Sequence, residues 1–146
     1  MGRDGVVSHS VEETYAIGYA LGSGLTDQAI VCFFGPLGAG KTTLIKGVVA
    51  GAAHYPPQHV NSPTFVYLNI YRGKRTVYHF DLYRLEGADD FLSKGFEEYL
   101  AADGIVCIEW PERISPLLPS ECIEIHLQEK GENGREINIL YPGKNG

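Results

Sequence analysis

Three kinds of apolar pattern follow one another along this chain. Continuous runs mark Ala29-Ile30-Val31-Cys32-Phe33-Phe34 and Gly104-Ile105-Val106-Cys107-Ile108-Glu109, and each predicts a strand covered on both faces, as in a parallel sheet. Helical spacing appears in three places. Ser10-Val11-Glu12-Glu13 fits a capping box, with Ser10 as N-cap and Glu13 reaching back. Thr14, Ile17 and Leu21 then carry a helix to about Leu21, ended by Gly22-Ser23-Gly24. Thr42 to Ala53 predicts a second helix, stopped by His54-Tyr55-Pro56-Pro57. Its small residues Gly47, Ala50, Gly51, Ala52 and Ala53 suggest close packing on the sheet. Asp89 to Leu100 predicts a third, with Phe91, Leu92, Phe96, Tyr99 and Leu100 on its apolar side.

Alternation of period two marks the rest. Phe65 to Tyr71 and Thr76 to Phe80 flank Arg72-Gly73-Lys74-Arg75 and read as a hairpin with a basic tip, either a solvated turn or a docking surface. Cys122–Gln128 and Arg135–Tyr141 form a second hairpin around Asn133-Gly134. Met1 to His9 reads as a loose polar start, Pro116 and Pro119 keep their stretch irregular, and Pro142 to Gly146 is a tail. The expected architecture is an α/β fold of the P-loop NTPase type. Its central sheet is mixed and mainly parallel, flanked by helices, with antiparallel hairpin additions.

Composition narrows this. A chain of 146 residues, 44% hydrophobic, supports one domain with a sizeable core spanning residues 1–146. A net charge of −6 argues against a broad DNA-binding face. The three cysteines, Cys32, Cys107 and Cys122, are odd in number and lack C-x-x-C spacing, so they read as core residues of a reducing compartment. With no signal peptide and no apolar run near ~18 residues, a cytoplasmic chain with no membrane contact is expected.

The candidate chemistry centres on Gly35-Pro36-Leu37-Gly38-Ala39-Gly40-Lys41-Thr42-Thr43, which satisfies G-x-x-x-x-G-K-[ST] between a strand and a helix. Its glycines let backbone N–H groups turn towards an anion, and the helix beginning near Gly40 adds the positive end of its dipole. Lys41 should reach the β- and γ-phosphates, and the Thr42 hydroxyl should ligate Mg²⁺; Thr43 is a further phosphate contact. Two strand-end acids follow. Glu109 closes a continuous apolar run, so it is preferred over Asp81 as the acid that holds the Mg²⁺ hydration shell. Asp81 ends a more alternating strand expected to be antiparallel.

Other positions admit two readings. Glu12 and Thr14 fit an ordinary helix start or a contact with a nucleotide base. Thr64, in Ser62-Pro63-Thr64-Phe65, fits a turn before a strand or a hydroxyl aimed at the γ-phosphate and Mg²⁺. Trp110 fits a core anchor or a flank of the site, and Arg84 a surface charge or a phosphate or partner contact. His79 reads as a hydrogen-bonded, half-buried histidine in preference to a metal ligand. Gly134-Arg135 is a further candidate for reaching the nucleotide.

Four elements in order, 35–43, Ser-Pro-Thr-Phe (62–65), Tyr-His-Phe-Asp-Leu-Tyr-Arg-Leu (78–85) and Ile-Glu-Trp-Pro-Glu (108–112), closely resemble the TsaE family over nearly the whole chain. The resemblance implies an ATP- and Mg²⁺-dependent P-loop ATPase. It would assist placement of a threonylcarbamoyl group on adenosine 37 of tRNAs reading ANN codons, acting with the TsaD–TsaB heterodimer and meeting tRNA only through that complex. By the same resemblance, Lys41 and the amides of Gly38, Ala39 and Gly40 bind phosphates, and Thr42 and Glu109 serve Mg²⁺. Asp81 becomes the Walker B-like or catalytic acid, Thr64 the switch-loop residue, and Trp110 a neighbour of the nucleotide. Thr14, Gly134 and Arg135 carry over as nucleotide contacts. Pro36 departs from the Asp or Asn common at that position, and it has no N–H to offer. A small-molecule kinase and a nucleotide-gated binding module are the alternative readings; the first lacks the Arg-rich lid such enzymes usually carry.

Overall fold

In the computed structural model, which describes residues 2–36, 40–54 and 67–142, the two continuous apolar runs lie at the middle of one seven-stranded sheet. They form β2 (Ile30–Phe34) and β5 (Ile105–Glu109), paired in parallel. β4 (Thr76–Asp81) joins the free edge of β5 in parallel, and β6 (Ile123–Lys130) joins β2 in parallel. Antiparallel pairings extend both sides: β3 (Leu68–Arg72) on β4, β7 (Gly134–Tyr141) on β6, and β1 (Gly2–Ser8) on β7. Among the described residues three pairings are parallel and three antiparallel, so the sheet is mixed, with its parallel part confined to the centre.

Two strand expectations change. The segment read as a loose start is β1, each residue from Gly2 to Ser8 opposite a residue of β7. It is an edge strand held by backbone pairing, and Val6 remains exposed. β4 is antiparallel to β3 as expected, yet its other edge is parallel to β5, which sets Asp81 beside Glu109 in register.

Alternate residues of the central strands face opposite layers. Val31, Phe33, Val77, Ile105 and Cys107 pack under α2 (Lys41–Ala53) through its Leu44, Ile45, Val48, Val49 and Ala52. Ile30, Cys32, Phe80, Val106 and Ile108 face Phe91, Ile114 and Leu85 on the other side. Cys32 and Cys107 are buried and all three cysteines are free; burial pushes the Cys107 thiol up to about 12.

α1 (Val11–Ser23) begins as its capping box dictates, with Ser10 Oγ accepting from Glu13 N at 3.1 Å. Glu13 Oε1 accepts from His9 N at 2.8 Å, one residue before the cap. The helix ends within the expected Gly22-Ser23-Gly24 stretch, with Gly24 as its C-cap. A Cβ on Gly22 would lie 2.1 Å from Val48 O, and one on Gly18 would lie 2.4 Å from Leu44 O. The reciprocal glycines of α2 meet α1 as tightly: Gly47 2.4 Å from Tyr15 O, and Gly51 2.1 Å from Tyr19 O. The small residues of α2 therefore serve contact with α1 as well as with the sheet.

The basic hairpin tip is built into the ends of these helices. Arg75 donates from Nε to Ala52 O at 2.9 Å, from Nη1 to Leu25 O at 2.6 Å and from Nη2 to Gly22 O at 2.9 Å. Lys74 N donates to Ala53 O at 2.7 Å. Ala52 and Ala53 lie in the last turn of α2, whose carbonyls lack partners within the helix, while Gly22 and Leu25 lie at and just beyond the end of α1.

The helix expected over Asp89–Leu100 is broken. α3 covers Ala88–Ser93, Gly95 turns left-handed (φ 74°), and a 3₁₀ turn covers Phe96–Ala101. In one straight α-helix, residues five apart point about 140° away from each other. The break lets both Phe91 and Phe96 reach Phe80, with ring centroids 5.5 and 5.4 Å away. The Pro116 stretch is a kinked 3₁₀ segment, Pro111–Leu117. Among the described residues no helix is long and apolar enough to cross a membrane.

Candidate functional site

The carboxyl ends of parallel strands are where open α/β sheets gather ligand-binding groups. Here Asp81 and Glu109 end β4 and β5 side by side, and the two-residue repeat puts both on the α2 face, with His79 beneath Asp81. Lys41, the first residue of α2, closes the same corner. Its N-cap Gly40 is left-handed (φ 93°), a conformation that favours glycine.

Lys41 is only 6% exposed. Burial pushes its pKa down; Glu109, Glu112 and Asp81 push it up without offsetting burial. Its Nζ lies 4.3 Å from the centroid of the Trp110 ring, a cation–π contact. Trp110 itself holds a left-handed backbone (φ 60°, ψ 49°), which for a non-glycine residue costs of order 1–3 kcal/mol. Tyr83 packs on the ring at 5.0 Å, and the Arg113 guanidinium lies 5.9 Å from it. The tryptophan is half-buried and flanks Lys41.

Burial pushes the Asp81 carboxyl above the usual range, although the Tyr83 N–H donates to Oδ1 at 3.1 Å and lowers it. Glu109 adds to the rise, while His79 and Lys41 act against it. A carboxyl whose pKa is raised on folding destabilises the fold above that raised pKa; the penalty shrinks as pH falls through it and is gone below the unfolded value. Asp81→Asn is therefore expected to raise the thermal midpoint near pH 7, with the gain vanishing by about pH 3. A midpoint lowered at neutral pH would contradict this.

On the other side of the α2 N-terminus, His9, Ser10, Thr14, Gly40, Thr43 and Arg135 line a cavity of about 400 Å³. Arg135 Nε stands 3.1 Å from where a Gly40 Cβ would be, and its Nη1 donates to Gly134 O at 2.9 Å. Thr14 is buried; its hydroxyl donates to Ser10 O at 3.1 Å and makes a short contact with Ser8 Oγ. Gly134 is buried at the hairpin turn, where a Cβ would meet Lys130 O at 2.2 Å. Thr42 is exposed on the first turn of α2 and Thr43 half-buried. A larger groove of about 920 Å³ opens at the opposite end of the sheet, between Leu25, Ile30, Leu100, Leu117 and Ile123, away from Lys41 and both acids.

The fold thus gathers Lys41, Asp81, Glu109 and Trp110 in one corner, and Thr14, Gly40, Thr43 and Arg135 around the adjoining cavity. Gly38, Ala39 and Thr64 lie outside the described residues. Tyr83 and Glu112 belong to the sequence elements 78–85 and 108–112, but the sequence assigns neither a role of its own. Their signal is proximity in sequence to Asp81 and Trp110, which becomes meaningful only once β4 and β5 are known to be neighbours.

Fold and site together define an α/β protein built on a strand–glycine-rich loop–helix unit, with a buried lysine facing two acids across the carboxyl edge of its parallel strands. The chain belongs to the TsaE family: the model of the family described as "Threonylcarbamoyl adenosine biosynthesis protein TsaE" matches residues 8–137. The tRNA threonylcarbamoyladenosine biosynthesis protein TsaE of Treponema pallidum (strain Nichols) is 36% identical over 133 residues, covering 91% of this chain and 97% of that protein. Its counterpart from Nostoc sp. is 41% identical over 133 residues, covering 88% of this chain and 80% of the relative. The crystal structure of Bacillus subtilis YdiB superposes with a TM-score of 0.79 at 29% identity, covering 97% of this chain and 87% of that one.

Proposed function

We propose that this protein is a Mg²⁺-dependent ATPase with a single P-loop NTPase domain. In this reading it works in the cytoplasm with a TsaD–TsaB heterodimer to support threonylcarbamoyladenosine formation at position 37 of tRNAs reading ANN codons. The observation that carries the proposal is Lys41: a buried ammonium at a helix N-terminus, next to a glycine-rich loop and opposite two strand-end acids. An ammonium kept from water without a close ion pair among the described residues suits an anionic ligand that completes its surroundings. The donor set fits Mg²⁺ as well, since that ion is usually held by one or two carboxylates, waters and substrate phosphates.

Bound MgATP would supply a phosphoanhydride whose terminal phosphoryl group can pass to water. The rest falls to the chain. Lys41 and the loop amides of Gly38, Ala39 and Gly40 would hold phosphate oxygens; Thr42 and Glu109 would hold Mg²⁺. Asp81, with its carboxyl made more basic by burial, suits accepting a proton from an attacking water. Thr64 would be the switch-loop hydroxyl. Thr43, Thr14, Gly134 and Arg135 border the cavity or its hairpin wall, where the remainder of the nucleotide would lie, and Trp110 would shield Lys41 from solvent.

Phosphate release by the protein alone and with purified TsaD–TsaB tests this. Weak turnover alone, rising several-fold with the partners and lost on chelation of Mg²⁺, is the expected result. Turnover indifferent to both Mg²⁺ and the partners would overturn the proposal.

A further inference from the structure

His79 lies on the same face of β4 as Asp81, two residues earlier, and opposite Cys107 of β5. Its side chain is 3% exposed. Nε2 stands 2.9 Å from Glu109 Oε2, while Nδ1 is buried with no hydrogen-bond partner among the described residues. Buried polar atoms in folded chains nearly always find partners, so an orphaned ring nitrogen calls for an explanation. A phenylalanine or leucine would fill the same space with no orphaned nitrogen, but it would take the donor away from buried Glu109. What the imidazole adds is the one bond it makes, to Glu109. With the Glu109 carboxylate accepting, that bond has Nε2 as its donor. It also engages Oε2 and leaves Oε1 without a hydrogen bond among the described residues.

We propose that His79 is a positioning residue whose Nε2–H holds the Glu109 carboxylate in one rotamer, so that Oε1 is presented to Mg²⁺ at the nucleotide phosphates. This rests on the assignment of Glu109 to Mg²⁺ made above. A glutamate has three side-chain torsions to fix, and a buried donor two residues below a strand end fixes the outermost of them.

The test uses Mn²⁺ as a paramagnetic substitute, its binding read by electron paramagnetic resonance on the full chain with a non-hydrolysable ATP analogue. Glu109→Gln is expected to weaken Mn²⁺ binding. His79→Leu is expected to weaken it about 10-fold, the lower end of the range for losing a group that orients a metal ligand. His79→Gln, whose amide nitrogen can occupy the place of Nε2, is expected to stay within about threefold of wild type, where a role in packing alone gives no such rescue. Binding of the analogue without metal should be alike in all variants. If Glu109→Gln binds Mn²⁺ normally, the assignment of Glu109 fails and the positioning role with it. If Glu109→Gln is impaired but His79→Leu is not, only the role of His79 is overturned. Should His79→Leu fail to fold by circular dichroism, His79→Asn, polar but too short to reach Glu109, takes its place. Wild-type Mn²⁺ binding in that variant overturns the proposal.

Discussion

Lys41→Ala is expected to lower ATP turnover by roughly 10²–10³-fold or more, the scale on which losing one preorganised charge-stabilising group acts. The ammonium is nearly shut off from water, and its neighbours are a tryptophan face and three carboxylates. A group already desolvated interacts with phosphate charge far more strongly than an exposed lysine does. The variant also removes one of the influences that lower the Asp81 pKa, so that carboxyl should move further up. Lys41→Arg should not restore activity, because a planar fork does not replace a point charge on a four-carbon stem. Steady-state phosphate release over a range of ATP concentrations checks both variants. Wild-type turnover in Lys41→Ala would remove the lysine from the site.

Gly51→Leu is expected to destabilise the fold by at least about 3 kcal/mol, a large share of the ~5–15 kcal/mol typical of whole domains. The obstruction is backbone: the added Cβ alone would sit 2.1 Å from Tyr19 O, so α1 and α2 must separate. That separation would strain the carbonyl contacts that Arg75 makes to Gly22 and Ala52. Gly24→Ala is the matched control, since its Cβ would meet the nearest carbonyl at an ordinary 3.7 Å. Urea unfolding midpoints should fall sharply for the first and barely move for the second. Equal midpoints would contradict the close helix contact.

Local features were readable from sequence. The glycine-rich-loop match needs only the eight consecutive residues 35–42 between a strand and a helix, and the structure supplies both flanks as β2 and α2. Ser10 and Glu13 announce α1 because a cap acts within one turn. Features set by distant neighbours were not readable. The alternation of β4 reads as a hairpin arm, and nothing local shows that its far edge meets β5; that pairing brings Asp81 to Glu109 and lets Glu109 reach back to His79. β1 is held by its pairing with β7, and its Val6 stays exposed. Arg75 looks like a surface charge in sequence because its partners are carbonyls 23 to 53 residues away. Gly95 divides the expected third helix in a left-handed turn, and Phe91 and Phe96 then both pack on Phe80, which no local pattern shows.

Trp110 is the chain's one tryptophan, and Lys41 Nζ lies over its ring, so its emission reports on the corner where nucleotide is proposed to bind. Titrating wild type and Lys41→Ala with MgATP is the most direct test. A saturable change in Trp110 emission in wild type, absent from Lys41→Ala over the same concentrations, is expected. Emission unmoved by MgATP into the millimolar range, or a response identical in the two proteins, would contradict a nucleotide site built on Lys41.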